Sequence, residues 1–221
     1  MVDEDIPTIL LSWSGESYAE ESEEPSDFIY ETSGDLFAVG GETDERELAG
    51  KFRLYYVDVD RAINDDVSVF DVLDSYSQTI GYYDLFDPNS PDLSDHVINL
   101  LENDVFGSNV LILDRLEILP KFRGKCAGLA VMSEMIRRFS AGAALVAIKP
   151  FPLQFEPAPA SDDEKEWRTD LGLAKLPKAK GIATKKLFDY YSRLGFRRFG
   201  RTPFMVRGTG RPLPSFRELS T

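Results

Sequence analysis

Apolar positions change their period several times along the chain, and each change predicts an element. Residues 14–27, SGESYAEESEEPSD, hold almost no large aliphatic side chain. Such a stretch cannot bury enough surface to offset its ordering entropy, so residues 1–27 read as an acidic N-terminal arm. Phe28–Glu31 and Leu36–Val39 flank Ser33-Gly34-Asp35, which predicts a hairpin turn. Gly40, Gly41 and the charges after them predict a second loop. From Phe52 to Val59 apolar and aromatic residues occupy both parities (Phe52, Leu54, Tyr56 against Tyr55, Val57, Val59), as in a strand covered on both faces. The period then lengthens. Val69, Leu73, Tyr76 and Ile80 make one helical stripe within Val67–Leu85. Asp87–Pro91 is a break, and Ser94 is placed to cap a short helix carrying Val97, Ile98, Leu100 and Leu101. His96, the single histidine, sits at the start of that helix as a surface or capping residue.

The second half has sharper punctuation. Asn109–Leu119 (NVLILDRLEIL) reads as a strand ended by Pro120. Phe122–Ala130 reads as a tight turn entering a helix that runs to about Phe139, and Ala141–Ile148 as a short apolar strand. An insertion over 149–181 follows, rich in proline and then in charge. A helix resumes over Ile182–Leu194 and stops at Gly195. Phe196–Phe199 and Pro203–Val206 read as closing strands.

Charge sharpens this division. The net charge is −13. Residues 1–104 hold 27 acidic and 4 basic residues, whereas 105–221 hold 11 and 21. A polyphosphate ligand suits the basic half and a cationic acceptor the acidic half; surface solubility explains the same asymmetry. Nucleic acid is not expected as a partner, because its phosphates would meet repulsion from the first half. One cysteine, Cys126, excludes an internal disulfide and suits a reducing compartment. The N-terminal MVDEDIPT lacks the pattern of a signal peptide, and the apolar runs fall well short of the ~20 residues of a membrane helix. A soluble, cytoplasmic protein with no membrane partner is expected.

The chemistry concentrates at Arg123-Gly124-Lys125-Cys126-Ala127-Gly128. Backbone N–H groups in the first turn of a helix lack internal partners, and with the helix dipole they attract phosphate oxygens. Gly124 and Gly128 permit close backbone approach, and Arg123 and Lys125 add charge. The spacing is neither the dinucleotide nor the P-loop pattern. Close packing of the helix on a sheet explains Gly128 equally well.

The run LEILPKFRGKCAGLAVMSEMI resembles the acyl-CoA loop of the GNAT superfamily of N-acetyltransferases, which reads Arg or Gln, two residues, Gly, one residue, Gly or Ala. Arg123 and Gly128 fit, and Cys126 stands where the first glycine is usual. FDYYSRLGF resembles the family's Tyr-x-x-x-Gly-Phe helix end, with Tyr191, Gly195 and Phe196 at those places. The match spans residues 108–207. It implies an α+β, layered fold with a mixed, mostly antiparallel central sheet flanked by helices. Residues 28–221 then form one domain, with 28–105 on the acceptor side and 106–210 binding acyl-CoA. Two features depart from the family plan: helices instead of strands before the strand that bears the loop, and the long 149–181 connection.

The resemblance implies an acetyltransferase that moves an acetyl group from acetyl-CoA to an amine by direct attack in a ternary complex, without a metal. The N–H groups of Gly124, Lys125, Cys126, Ala127, Gly128 and Leu129 would hold the pyrophosphate. The N–H near Ile118 would polarise the thioester carbonyl. Tyr191 would protonate the leaving thiolate; as a helix aromatic it is also a core residue. Asp114 and Glu117 are the candidate bases. Strict alternation puts Asp114 on the face of Ile118, and a carboxylate occurs there in polyamine-acetylating relatives; an ion-paired strand carboxylate is the alternative. The acceptor would be a cationic small molecule or a protein amine, and a homodimer is compatible with the pattern. The rival reading is a non-catalytic acyl-CoA-binding or interaction module of the same fold.

Overall fold

The computed structural model describes residues 8–15, 24–40, 45–102, 104–124 and 126–219. Among these, seven strands form one sheet: β1 (Thr8–Ser14), β2 (Ile29–Val39), β3 (Arg46–Val57), β4 (Val110–Ile118), β5 (Leu145–Ile148), β6 (Arg197–Arg198) and β7 (Met205–Gly208). Their order is β1-β2-β3-β4-β5-β7-β6. All neighbours are antiparallel except β4 and β5, so the sheet is mixed. The helices are α1 (Val59–Asn64), α2 (Val69–Asp74), α3 (Asp95–Leu100), α4 (Ala127–Phe139), α5 (Asp162–Asp170), α6 (Lys180–Ser192) and α7 (Phe216–Leu219). The fold is α+β, with helices on both faces of the sheet.

Alternation along the strands separates two cores. On the first face Tyr55, Val57, Val110, Ile112, Leu145, Ala147 and Val206 pack under α1, α2, α3 and the 3₁₀ turn Ile80–Leu85. On the second face Phe52, Leu54, Leu111, Leu113, Val146, Ile148 and Met205 pack under α4, whose buried stripe includes Leu129, Met132, Met135 and Ile136. The two-sided burial expected of the Phe52 strand is therefore real, and it extends to β4 and β5.

Several expected boundaries are corrected. Ser33-Gly34-Asp35 is not a turn: β2 runs through it and pairs there with Ser14, Trp13 and Ser12 on one side and Arg53, Phe52 and Lys51 on the other. A Cβ at Gly34 would lie 2.2 Å from the Ser12 carbonyl oxygen, so this glycine serves close strand approach. Thr8–Ser14, assigned to the arm, is strand β1; it satisfies the outer edge of β2, and its Ile9 and Leu11 pack on the second core. The centre of that arm, residues 16–23, lies outside the described residues. β3 starts earlier than expected, at Arg46, and stops at Val57, because Asp58 turns the chain and caps α1 by accepting from Arg61 N. The single helix expected over Val67–Leu85 is divided. Thr79 Oγ1, fully buried, donates to the Leu73 and Tyr76 carbonyls (2.6 and 3.0 Å), which satisfies the end of α2 and starts the 3₁₀ turn. Ser94 caps α3 as expected, accepting from Val97 N, and His96 is exposed with its ring edge on Phe199. None of the helices is long and apolar enough to cross a membrane, among the described residues.

Candidate functional site

β4 and β5 are paired only from Val110↔Leu145 to Leu113↔Ile148. Beyond Ile148 the chain leaves the sheet, while β4 continues to Ile118 held by β3 alone. The parted strands open a cavity of about 800 Å³. Its walls include Asp114–Leu116 and Ile118 of β4, the loop residues Arg123, Gly124, Cys126 and Gly128, and Tyr190 and Tyr191 of α6. The insertion closes it with Phe151–Gln154, Glu156, Leu173, Leu176 and Pro177. The insertion is thus a wall of the cavity, and its α5 is capped by Ser161, which accepts from Glu164 N.

A bulge sets which residues enter. Arg53 pairs with Arg115 and Leu54 with Leu113, so Asp114 is the extra residue. The bulge reverses parity: Leu111 and Leu113 face the second core, and after it Leu116 and Ile118 do. Asp114 therefore does not share the face of Ile118, contrary to strict alternation. It lies on the first face with Arg53. The cavity consequently runs through the sheet, with Asp114, Arg53 and Tyr82 towards one face and Ile118, Gly128 and Tyr191 towards the other.

Each carboxylate on this part of β4 is bound. Arg53 Nε and Nη2 both donate to Asp114 Oδ2 (2.8 and 2.7 Å). Glu117 is buried and accepts from Arg115 Nε and from Trp167 Nε1, both at 2.7 Å. Arg115 also makes a bidentate pair with Glu156, which in turn holds Arg168. This network ties β4 to the insertion and uses Glu117 structurally.

At the second face, Cys126 stands at the N-cap of α4 with φ 60° and ψ 18°, a left-handed conformation in which glycine is the unstrained residue. Its thiol donates to the Leu219 carbonyl oxygen, which also accepts from Arg193 Nη2, so the C-terminal segment fastens this turn. Arg123 does not point into open solvent. Its Nε donates to the Ile118 carbonyl and its Nη2 to the Leu171 carbonyl, both at 2.7 Å, and burial lowers its pKa from the ordinary arginine value. Gly124 has φ +92° and open space where a Cβ would stand. Ala127 N donates to the Gly124 carbonyl oxygen, and Leu129 N donates to Tyr190 Oη at 3.1 Å. A Cβ on Gly128 would lie 2.7 Å from that same hydroxyl. Lys125, expected among the loop ligands, lies outside the described residues.

The two adjacent tyrosines have different surroundings. Tyr190 caps the helix, and burial pushes its phenol up to about 12. Tyr191 lines the cavity, its hydroxyl has no hydrogen-bond partner among the described residues, and burial pushes its phenol well above the ordinary tyrosine value. Tyr82, at the other end of the cavity, is raised by burial first and then by the Asp114 charge. Arg53, Tyr82, Trp167 and Tyr190 were not identified from the sequence. Only the Tyr190-Tyr191 pair left a local signal, because the others reach the site from remote segments.

Comparison of the chain with protein-family models, with curated proteins and with solved structures gave no match.

Proposed function

We propose that the chain is an acyl-CoA-dependent N-acyltransferase of GNAT-like architecture, transferring an acetyl group from acetyl-CoA to an amine. The observation that carries the reading is the parting of β4 from β5 after Leu113. It leaves a half-paired strand edge out to Ile118 and a through-sheet cavity with the first turn of α4 on its wall. The cavity lining supports an anionic donor, with five Arg or Lys side chains against two carboxylates, Asp114 and Glu156.

In this reading the turn Gly124–Leu129 receives the pyrophosphate, with Tyr190 Oη yielding the Leu129 N–H. The amine nitrogen attacks the thioester carbonyl, and the carbon–sulfur bond breaks. The proton lost by the amine goes to Asp114 Oδ1, the oxygen not held by Arg53. The departing thiolate accepts a hydrogen bond from the Tyr191 hydroxyl. Burial keeps that hydroxyl protonated and opposes full transfer of its proton, so Tyr191 acts as a hydrogen-bond donor to the developing charge on sulfur.

A second reading, a binding module without turnover, is favoured by the internal engagement of Asp114, Arg123 and Leu129 N. Calorimetric titration with acetyl-CoA, with CoA and dephospho-CoA as controls, tests both. Saturable binding that an Arg123→Ala, Gly128→Trp double variant loses supports the loop as the donor site. CoA release with any amine then favours transfer, and tight binding without release across the amine panel favours the module. Absence of binding by folded protein overturns both readings.

A further inference from the structure

The first-face end of the cavity has its own chemistry. Arg53 spends Nε and Nη2 on one oxygen of Asp114, which leaves Asp114 Oδ1 and Arg53 Nη1 without partners among the described residues. The two side chains are 18% and 30% exposed respectively, so both remain reachable from the cavity. Lys149 follows β5, and alternation from Ile148 turns it to this face. Its Nζ is 6.0 Å from the Phe204 ring, whose centroid is 4.6 Å from that of Tyr82. Among the described residues Lys149 has no carboxylate at ion-pair distance. Arg115, by contrast, is neutralised by Glu117 and Glu156.

This end therefore offers one open carboxylate oxygen and two cationic groups with donor capacity to spare. We propose that it selects an acceptor carrying both an amine and a carboxylate, a small free amino acid. The ammonium sits on Asp114 Oδ1 before it loses its proton, and the carboxylate sits between Arg53 Nη1 and Lys149. A polyamine meets Arg53 and Lys149 as like charges, and a simple alkylamine leaves both unused. The acidic first half of the chain had suggested a cationic acceptor. Local charge prevails, because screening limits exposed surface charges to roughly 8–10 Å while partly buried groups are screened less.

The proposal rests on the acyl-transfer reading for its role but not for its test. The full chain, with and without CoA, is titrated with each of the standard amino acids and with their primary amides, which keep the ammonium and lose the carboxylate charge. Saturation-transfer NMR reads binding. At least one small amino acid is expected to bind, with its amide weaker by roughly tenfold, as for loss of one charge-assisted contact. Lys149 is exposed, so Lys149→Met is expected to fold normally and to reduce that ratio to about threefold or less. Amides that bind as well as acids, a ratio unchanged in Lys149→Met, spermidine displacing the amino acid, or no amino acid binding at all overturns the proposal. Amino acid binding without acetyl-CoA binding leaves it standing and removes the donor reading. Acetyl-CoA binding without amino acid binding does the reverse.

Discussion

Val110–Leu113 and Asp114–Ile118 belong to one strand and live in different environments. The first four residues pair with β3 and β5, are all buried, and alternate cleanly between the two cores. The last five have β3 on one side only and border the cavity or its supports. Two local events separate them: the extra residue at Asp114, and the departure of β5 after Ile148. A core strand thereby becomes a cavity-facing strand within one residue. The side chains that would have been buried without partners are charged ones, paired with Arg53, Arg115 and Trp167.

Truncation should show this contrast most strongly. Ile112→Ala is expected to lower unfolding stability by about 2–5 kcal/mol, whereas Ile118→Ala, next to open space, should cost less than about 1.5 kcal/mol. Equal losses in chemical denaturation would erase the distinction between the halves. For the open half, Tyr191→Phe should reduce turnover by about 10²-fold with the acetyl-CoA Kd unchanged. Steady-state kinetics beside calorimetry reads this, and unchanged turnover removes Tyr191 from the chemistry. Glu117→Ala should cost about 1–3 kcal/mol, since Arg115 Nε and Trp167 Nε1 lose a buried acceptor. It should also speed trypsin cleavage within residues 149–181.

Tyr190→Phe is a smaller and more diagnostic change. It removes the cap from Leu129 N at a cost of about 1 kcal/mol. In the proposed reading the hydroxyl competes with the pyrophosphate for the same N–H, so acetyl-CoA should bind about threefold tighter. Weaker binding would mean that the hydroxyl helps to hold the donor. The smallest effect is in pH. Tyr55 and Tyr190 both have folded-state values raised by burial from 10.0 to about 12. Below pH 10 both are protonated in folded and unfolded chains, so they add no pH dependence. Between pH 10 and about 12 the unfolded chain releases the protons first, and stability should fall with rising pH. Tyr190→Phe should make this fall shallower, as urea midpoints across that window would show.

Legibility followed the range of the forces involved. The strand Asn109–Leu119, the turn and helix after it, the Ser94 cap and the Gly195 stop were readable, because each depends on residues within a few positions. The Ser33-Gly34-Asp35 turn was misread because the glycine answers to the Ser12 backbone, on a strand that the sequence assigned to an arm. The Val67–Leu85 helix was overextended because its break depends on where the Thr79 hydroxyl finds carbonyls. Of the candidate site, the loop and Tyr191 were marked in the sequence. Their partners were not.

What the sequence determined by itself is the periodic framework: which segments are two-sided strands, where the glycine-bearing turn meets its helix, and which half carries the positive charge. Tertiary structure alone decided that β4 bulges at Asp114, that β5 ends at Ile148, that Arg53 and Tyr82 come to the Asp114 carboxylate, and that Lys149 lines the same cavity. Register and strand parting are settled by the fit of whole layers against each other, and no local pattern of side chains encodes them.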